Sequence, residues 1–241
     1  MIFSWKANKL PMKRIYVPTQ GAADWKRLLA KPELHWKTGY SAMTAAACWD
    51  AACDALPVEL RRTLNQASHP ALSKLDLLAA LPEWETALPG GDRPSFTDVM
   101  ALARNELGLA VIAVEAKVNE AFGPTVGEKR EGASAGQMER LRHLEALLQV
   151  DQPFGDGIRY QLLHRCASAI LTARQFHAAT AVLLVHSFSP IARWRDDFES
   201  FCHAMHAQQV SADVWRVERF AAPALFLAWC AGDRRFLEMS A

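Results

Sequence analysis

Residues 95–117, SFTDVMALARNELGLAVIAVEAK, constrain this chain more than any other stretch. Two apolar runs flank Asn105-Glu106-Leu107-Gly108, a turn sequence that closes on glycine. Apolar runs of this length on either side of a short turn predict a β-hairpin. Asp98 falls inside the first strand, and Glu115 and Lys117 fall inside the second. An unpaired charge in so apolar a strand is costly. Two carboxylates and a lysine entering one sheet therefore imply a task for them.

The turn sets the register. If Asn105 pairs with Gly108, the same ladder puts Asp98 directly opposite Glu115, with Cβ atoms ~5 Å apart. Lys117, two residues further, shares that face. A bulge at Gly108 would instead shift the pairing by one residue. Opposed carboxylates repel, so a proton, a lysine or a cation must neutralise them. Asp98 and Glu115, with the Ala116 carbonyl nearby, offer oxygen ligands suited to Mg²⁺ or Mn²⁺. Lys117 would then orient or help deprotonate the attacking water, or stabilise charge on a phosphate.

The remaining segments supply the frame. Residues 13–18 read as a short strand stopped by Pro18, and 22–30 as a short helix. Residues 38–56 form an alanine-rich helix suited to close packing on a sheet. Pro57 opens a helix over 57–67, a position where its missing N–H costs nothing. Leu72, Leu75 and Leu78 at helical spacing predict a further helix over 70–81. The character changes at Pro82: residues 84–88 read as a strand, ended by Pro89-Gly90-Gly91. With the hairpin this makes a three-stranded antiparallel meander. A loop rich in glycine and charge follows over 123–136. Ser134 with Gln137 three residues later marks a capping box for a helix carrying Met138, Leu141, Leu144 and Leu148. Residues 158–177 are the next helix, with Leu163, Ala167, Ile170 and Ala173 on one stripe and Gln161, Arg165, Ser168 and Thr172 on another. The run 179–188, ATAVLLVHSF, fits a strand covered on both faces. An amphipathic helix over 191–207 and closing strands over 214–220 and 223–230 complete the chain.

Composition limits the alternatives. At 241 residues the chain can build a sizeable core. A formal net charge of +1 and a pI near 7.7 do not indicate binding to nucleic acid by bulk charge, for which a pI above ~9 is the usual footprint. The basic residues are concentrated early, however: Lys6, Lys9, Lys13, Arg14, Lys26, Arg27, Lys31 and Lys37 stand against Asp24 and Glu33 in the first forty residues. Such an excess is either a solvated surface or a patch that faces phosphate. The five cysteines form no CxxC pair, and their spacing argues against a zinc site. They read as buried, reduced thiols of a cytoplasmic protein. No apolar run approaches the ~20 residues that span a bilayer, and no secretory leader is expected. His186 and Ser187 are strand neighbours that point to opposite faces, which argues against a dyad.

The placement of Asp98 followed by Glu115-Ala116-Lys117 on the second and third strands of a meander resembles the PD-(D/E)xK nuclease superfamily, the restriction-endonuclease-like fold. The order helix, three-strand meander, helix and buried strand is similar too. WKTGYSA around Lys37, FGPTVGE at 122–128, RYQLLHR at 159–165 and LVHSFSP at 184–190 further resemble a small bacterial family within it. The resemblance implies an α/β fold: a restriction-endonuclease-like mixed β-sheet flanked by helices, with a helical N-terminal section. One domain is expected over 1–241, with residues 1–81 mainly helical, 82–190 as the core and 191–241 closing the sheet. It implies Mg²⁺- or Mn²⁺-dependent hydrolysis of phosphodiester bonds in DNA or RNA, with Asp98 and Glu115 as ligands, Lys117 as the assisting lysine and Gln161 as a positioning residue. Arg165 and Thr125, the latter in the loop that also carries Glu128, are the expected substrate contacts. Nucleic acid is the expected partner, a membrane is not, and a homodimer is left open. Two other readings stand beside this one. The first is a nuclease fold that no longer cuts and serves as a binding or assembly module. The second is a metal-dependent hydrolase of a small phosphorylated ligand, although the chain has no Walker loop and no GxGxxG.

Overall fold

The computed structural model describes Ile15, residues 21–90 and residues 93–239. Its framework is one seven-stranded sheet in the order β1-β2-β3-β4-β7-β6-β5. The strands are β1 (Asp76–Thr86), β2 (Ser95–Asn105), β3 (Gly108–Lys117), β4 (Thr180–Ser187), β5 (Gln208–Ser211), β6 (Val214–Ala221) and β7 (Ala224–Ala231). The first three form the expected antiparallel meander, and β4 joins β3 in parallel. A parallel neighbour requires a crossover. Helices α4 (Val126–Arg130), α5 (Ala135–Leu147) and α6 (Tyr160–Gln175) provide it. Strand β7 adds to β4 in parallel, and β6 and β5 finish the sheet antiparallel. The sheet is mixed and flanked by helices, an α/β architecture.

Alternation along the strands separates two cores. Val111 and Ala113 of β3 and Leu183 and Val185 of β4 pack against Leu163, Ala167 and Ile170 of α6. On the other face, Ile112, Val114, Val182 and Leu184 pack with Ala45, Trp49, Leu60 and Leu64. The latter four come from α2 (Ser41–Ala52) and α3 (Val58–Gln66). Every residue of β4 is buried, as expected for a strand sandwiched between helix layers.

The largest departure from the sequence reading lies at 70–86. The helix expected over 70–81 is absent: residues 70–74 turn, and Asp76 already begins β1. Lys74 has φ +52, and its N–H is held by the Asn65 side chain. Pairing of β1 with the full length of β2 outweighs the local leucine spacing, because it satisfies backbone groups along the whole ladder. The strand expected over 84–88 is therefore the end of a longer one that stops at Thr86. Pro82 is tolerated because β1 is an edge strand.

Other boundaries move less. The short helix near Trp25 is a 3-10 helix over Ala22–Leu28, and the tetrapeptide α1 (Pro32–His35) follows it. The expected 38–56 helix is confined to α2. The loop after β3 contains α4, closed by a capping box between Thr125 and Glu128. The Ser134/Gln137 box begins α5 as expected. The 191–207 helix shortens to α7 (Arg195–Ala204), after Trp194 at φ +71, and β5 follows it. The strand expected over 13–18 lies outside the described residues except Ile15, which bridges Ala80. No helix among the described residues is long and apolar enough to cross a membrane.

Candidate functional site

The hairpin register is the simple one. Asn105 pairs with Gly108, and the ladder runs without irregularity to Val99↔Val114. One further step brings Asp98 beside Glu115. The Asp98 carboxylate closes the ladder there by accepting the Ala116 N–H at 2.7 Å. Residue Ala116 thus contributes its amide to Asp98.

Glu115 is the centre of the site. It is 2% exposed, and three side chains hold its two oxygens. Lys117 Nζ lies 2.6 Å from Oε1 and Gln161 Nε2 donates to the same oxygen at 2.7 Å. Arg165 Nε donates to Oε2. Gln161 and Arg165 are one helical turn apart at the start of α6, so both reach the same point. Arg165 also donates to Ser95 Oγ at 2.9 Å, and that hydroxyl lies 2.9 Å from His164 Nδ1. Burial alone would raise the Glu115 pKa, but Arg165 and Lys117 outweigh it and hold the group down at about 2. His164 is kept well below its usual pKa by burial and by Arg165, so it is a neutral hydrogen-bonding partner.

Asp98 is in the opposite condition. Burial, then the Glu115 charge, pushes its pKa up to about 7. A third carboxylate shares the site, and sequence reasoning missed it. Glu83 lies between the β1–β2 pairs Pro82↔Val99 and Trp84↔Thr97, which makes it the cross-strand neighbour of Asp98. Its φ is +50, unusual for a residue with a Cβ. Burial, then Asp98, raises its pKa to about 8. Among the described residues neither the Glu83 carboxylate nor Asp98 Oδ1 has a hydrogen-bond partner. The signal for Glu83 was present in the sequence, since it follows Pro82 where the chain character changes. It was hidden because residues 70–81 read as helix.

These groups line a cleft of about 510 Å³ at the end of the sheet. Its floor holds Glu83, Asp98, Glu115 and Lys117, while Lys31, Lys129 and His35 line its walls. Ser41 and Ala42 of α2 form another wall. Glu120, just after β3, accepts the Ser41 N–H at 2.9 Å and fixes that helix start in place. Lys117 Nζ also sits 5.1 Å from the centre of the Phe122 ring.

The structure thus gathers Asp98, Glu115, Lys117, Gln161 and Arg165 at one place. Thr125 is not among the lining residues. Its hydroxyl accepts the Glu128 N–H and caps α4, while Gly123 and Pro124 line the cleft instead. Thr125→Ala should cost about 1 kcal/mol in denaturant unfolding and leave any activity of the cleft unchanged. A fall in activity without a fall in stability would return Thr125 to the site.

The donor set fits a hard dication. Three carboxylates face two buried cations, and both cations are committed to Glu115. That leaves Asp98 and Glu83 with raised pKa values that a divalent ion would relieve. The carboxylate oxygens are spread more widely than a tight three-ligand group. Among the described residues, a cluster whose three donor atoms all lie within 4.8 Å of one another occurs elsewhere, at Cys48, Glu59 and His186.

The chain belongs to the family described as domain of unknown function DUF6946, whose model matches residues 18–234. No curated protein and no solved structure matches the chain.

Proposed function

We propose that the cleft hydrolyses phosphodiester bonds of DNA or RNA with Mg²⁺ or Mn²⁺, in the manner of the PD-(D/E)xK nucleases that the sequence resembles. The observation that carries this reading is the convergence of Asp98, Glu115, Lys117 and Gln161 on one cleft. A meander followed by a crossover and a parallel strand supports it. In this reading Asp98 and Glu115 hold the dication, and Glu83 adds negative charge beside Asp98. The ion, when bound, neutralises charge at the scissile phosphate and makes a water more acidic. Lys117 orients that water or meets developing charge on the phosphate. Gln161 and Arg165 keep the Glu115 carboxylate in one orientation. Lys31 and Lys129 draw the phosphate backbone toward the floor.

The test is cleavage of a panel of single- and double-stranded DNA and RNA with Mn²⁺ or Mg²⁺, with chelator as control. Lys117→Ala should abolish cleavage and keep the fold; unchanged cleavage would remove the assignment. A second reading is a non-cutting binding module, favoured by the engagement of both Glu115 oxygens by Arg165, Lys117 and Gln161. Under it, nucleic acid binds and no metal-dependent cleavage occurs.

The raised carboxyl pKa values give a pH dependence. A folded-state pKa above the unfolded value means that the folded protein holds more protons. The associated stability is present below about pH 4 and is lost as pH rises through about 7 for Asp98 and about 8 for Glu83. The metal-free protein should therefore melt at lower temperature as pH rises over that window. Stabilisation by Mn²⁺ should grow over the same window, because ionised carboxylates bind the ion and protonated ones do not. A metal-induced shift in Tm that is flat between pH 6 and 8.5 would contradict the assignment of Asp98 and Glu83.

A further inference from the structure

On the face of the sheet that carries α2 and α3, three residues with no role in the cleft come together. Cys48 is on α2, Glu59 is in the first turn of α3, and His186 is near the end of β4. We propose that Cys48 Sγ, a Glu59 carboxylate oxygen and His186 Nε2 form a second metal site that takes a borderline-soft dication of the zinc class and ties both helices to the sheet. The proposal is independent of the nuclease reading.

The geometry points to an ion rather than to protons. Cys48 Sγ lies 3.3 Å from Glu59 Oε1, and His186 Nε2 lies 3.3 Å from the same oxygen. The Asp233 N–H also donates to that oxygen at 3.3 Å. The histidine and amide distances are long for N–H···O hydrogen bonds, which are usually ~2.9–3.0 Å. The Cys48–Glu59 and His186–Glu59 distances match the edges of a tetrahedron of ligands. With metal–ligand lengths of ~2.0–2.3 Å, donor atoms around zinc sit roughly 3.3–3.7 Å apart. All three donor atoms already lie within 4.8 Å of one another.

The chemistry selects the ion class. A thiolate, an imidazole and a carboxylate suit zinc, whereas magnesium and calcium prefer oxygen alone. Charge also balances. On binding, the Cys48 S–H bond breaks, its proton leaves to solvent, and a sulfur–metal bond forms. One thiolate and one carboxylate then cancel the two positive charges. That matters here because Cys48 is 2% exposed and His186 is fully buried. A further buried thiol, Cys230, is the strand partner of His186 on β7. The helix held by Cys48 is the one whose first residues wall the cleft.

The test uses the full chain, purified without chelator. Elemental analysis should find one zinc per chain. After chelation the Tm should fall by at least ~5 °C, and zinc should restore it. Cobalt(II) added to the stripped protein should produce one equivalent of thiolate-to-cobalt charge-transfer absorption, which a site made of oxygen ligands alone does not give. Cys48→Ser and His186→Gln should abolish that band; Cys53→Ser and Asp98→Asn should keep it. Stripped wild-type protein that is folded by circular dichroism yet gives no such band, and no Tm change with zinc, would overturn the site even if the variants fail to fold. Stabilisation by Mg²⁺ alone without the cobalt–thiolate band would place the metal in the cleft and overturn it equally.

Discussion

Asp98→Asn is expected to lower metal-dependent cleavage by a factor on the order of 10³ or more, while the protein stays as stable as its parent or becomes more stable at pH 8. The two effects have one cause. Asp98 is a carboxylate the folded chain tolerates poorly, because burial and the neighbouring Glu115 charge raise its pKa to about 7. Above that pH its charge opposes folding. An amide of the same shape can still accept the Ala116 N–H and brings no charge. Under the proposed function, however, the dication would lose the ligand that no cation touches. Losing several kcal/mol of charge stabilisation in the transition state corresponds to roughly that rate factor. Initial rates at saturating Mn²⁺ and a thermal melt on the same preparation measure both. Cleavage within tenfold of the parent would take Asp98 out of the site. A clear loss of stability would show that its charge is structural.

Glu115→Gln should behave in the opposite way and destabilise the fold by about 3–5 kcal/mol, because it removes the one carboxylate that buried Arg165 and Lys117 both touch. Those two side chains are 9% and 6% exposed. Neither can turn fully to water without leaving its packing. The low pKa of Glu115, held at about 2 by Arg165 and Lys117 against burial, has the matching pH signature. Its stabilisation is present above the usual glutamate range and is lost as pH falls toward 2. Urea unfolding at pH 7 measures the loss. The double variant Glu115→Gln with Arg165→Gln should recover part of it, since the pair is then removed together. A cost below ~1 kcal/mol for Glu115→Gln would mean that the ion pairs are not sustained in solution. Cleavage should also be lost in Glu115→Gln, so that variant, unlike Asp98→Asn, does not separate activity from stability.

The hairpin was legible because its determinants are local. Alternation sets the strands, the Asn105–Gly108 turn sets the register, and a register of period two then decides which side chains share a face. Lys117 followed from that alone. Gln161 and Arg165 were legible as residues on one helical stripe, but their common target was not. Whether α6 lays that stripe over Glu115 depends on how the crossover packs on β3. Glu83 was missed because its strand partner lies across a non-local ladder, and leucines at 72, 75 and 78 imitate a helix when the ladder is ignored. Thr125 shows the converse: a loop residue next to the site whose hydroxyl is spent on capping.

The cysteines make the same point on the other face. Their spacing argued against a metal site, since ligand motifs read from sequence need donors close together along the chain. Cys48, Glu59 and His186 come from two helices and a central strand, and only the stacking of those helices on β4 brings their donor atoms within 4.8 Å. By itself, the sequence determined the hairpin and put Asp98, Glu115 and Lys117 inside its strands, because these follow from local patterning; it offered the register that sets them side by side, and the observed ladder selected that register over the bulged alternative. The tertiary structure alone decided that Arg165 and Gln161 clamp Glu115, that Glu83 joins Asp98, and that a thiol, a carboxylate and an imidazole meet beneath the sheet. Each of these contacts joins segments far apart in the chain, and only burial of apolar surface between whole elements brings such segments together.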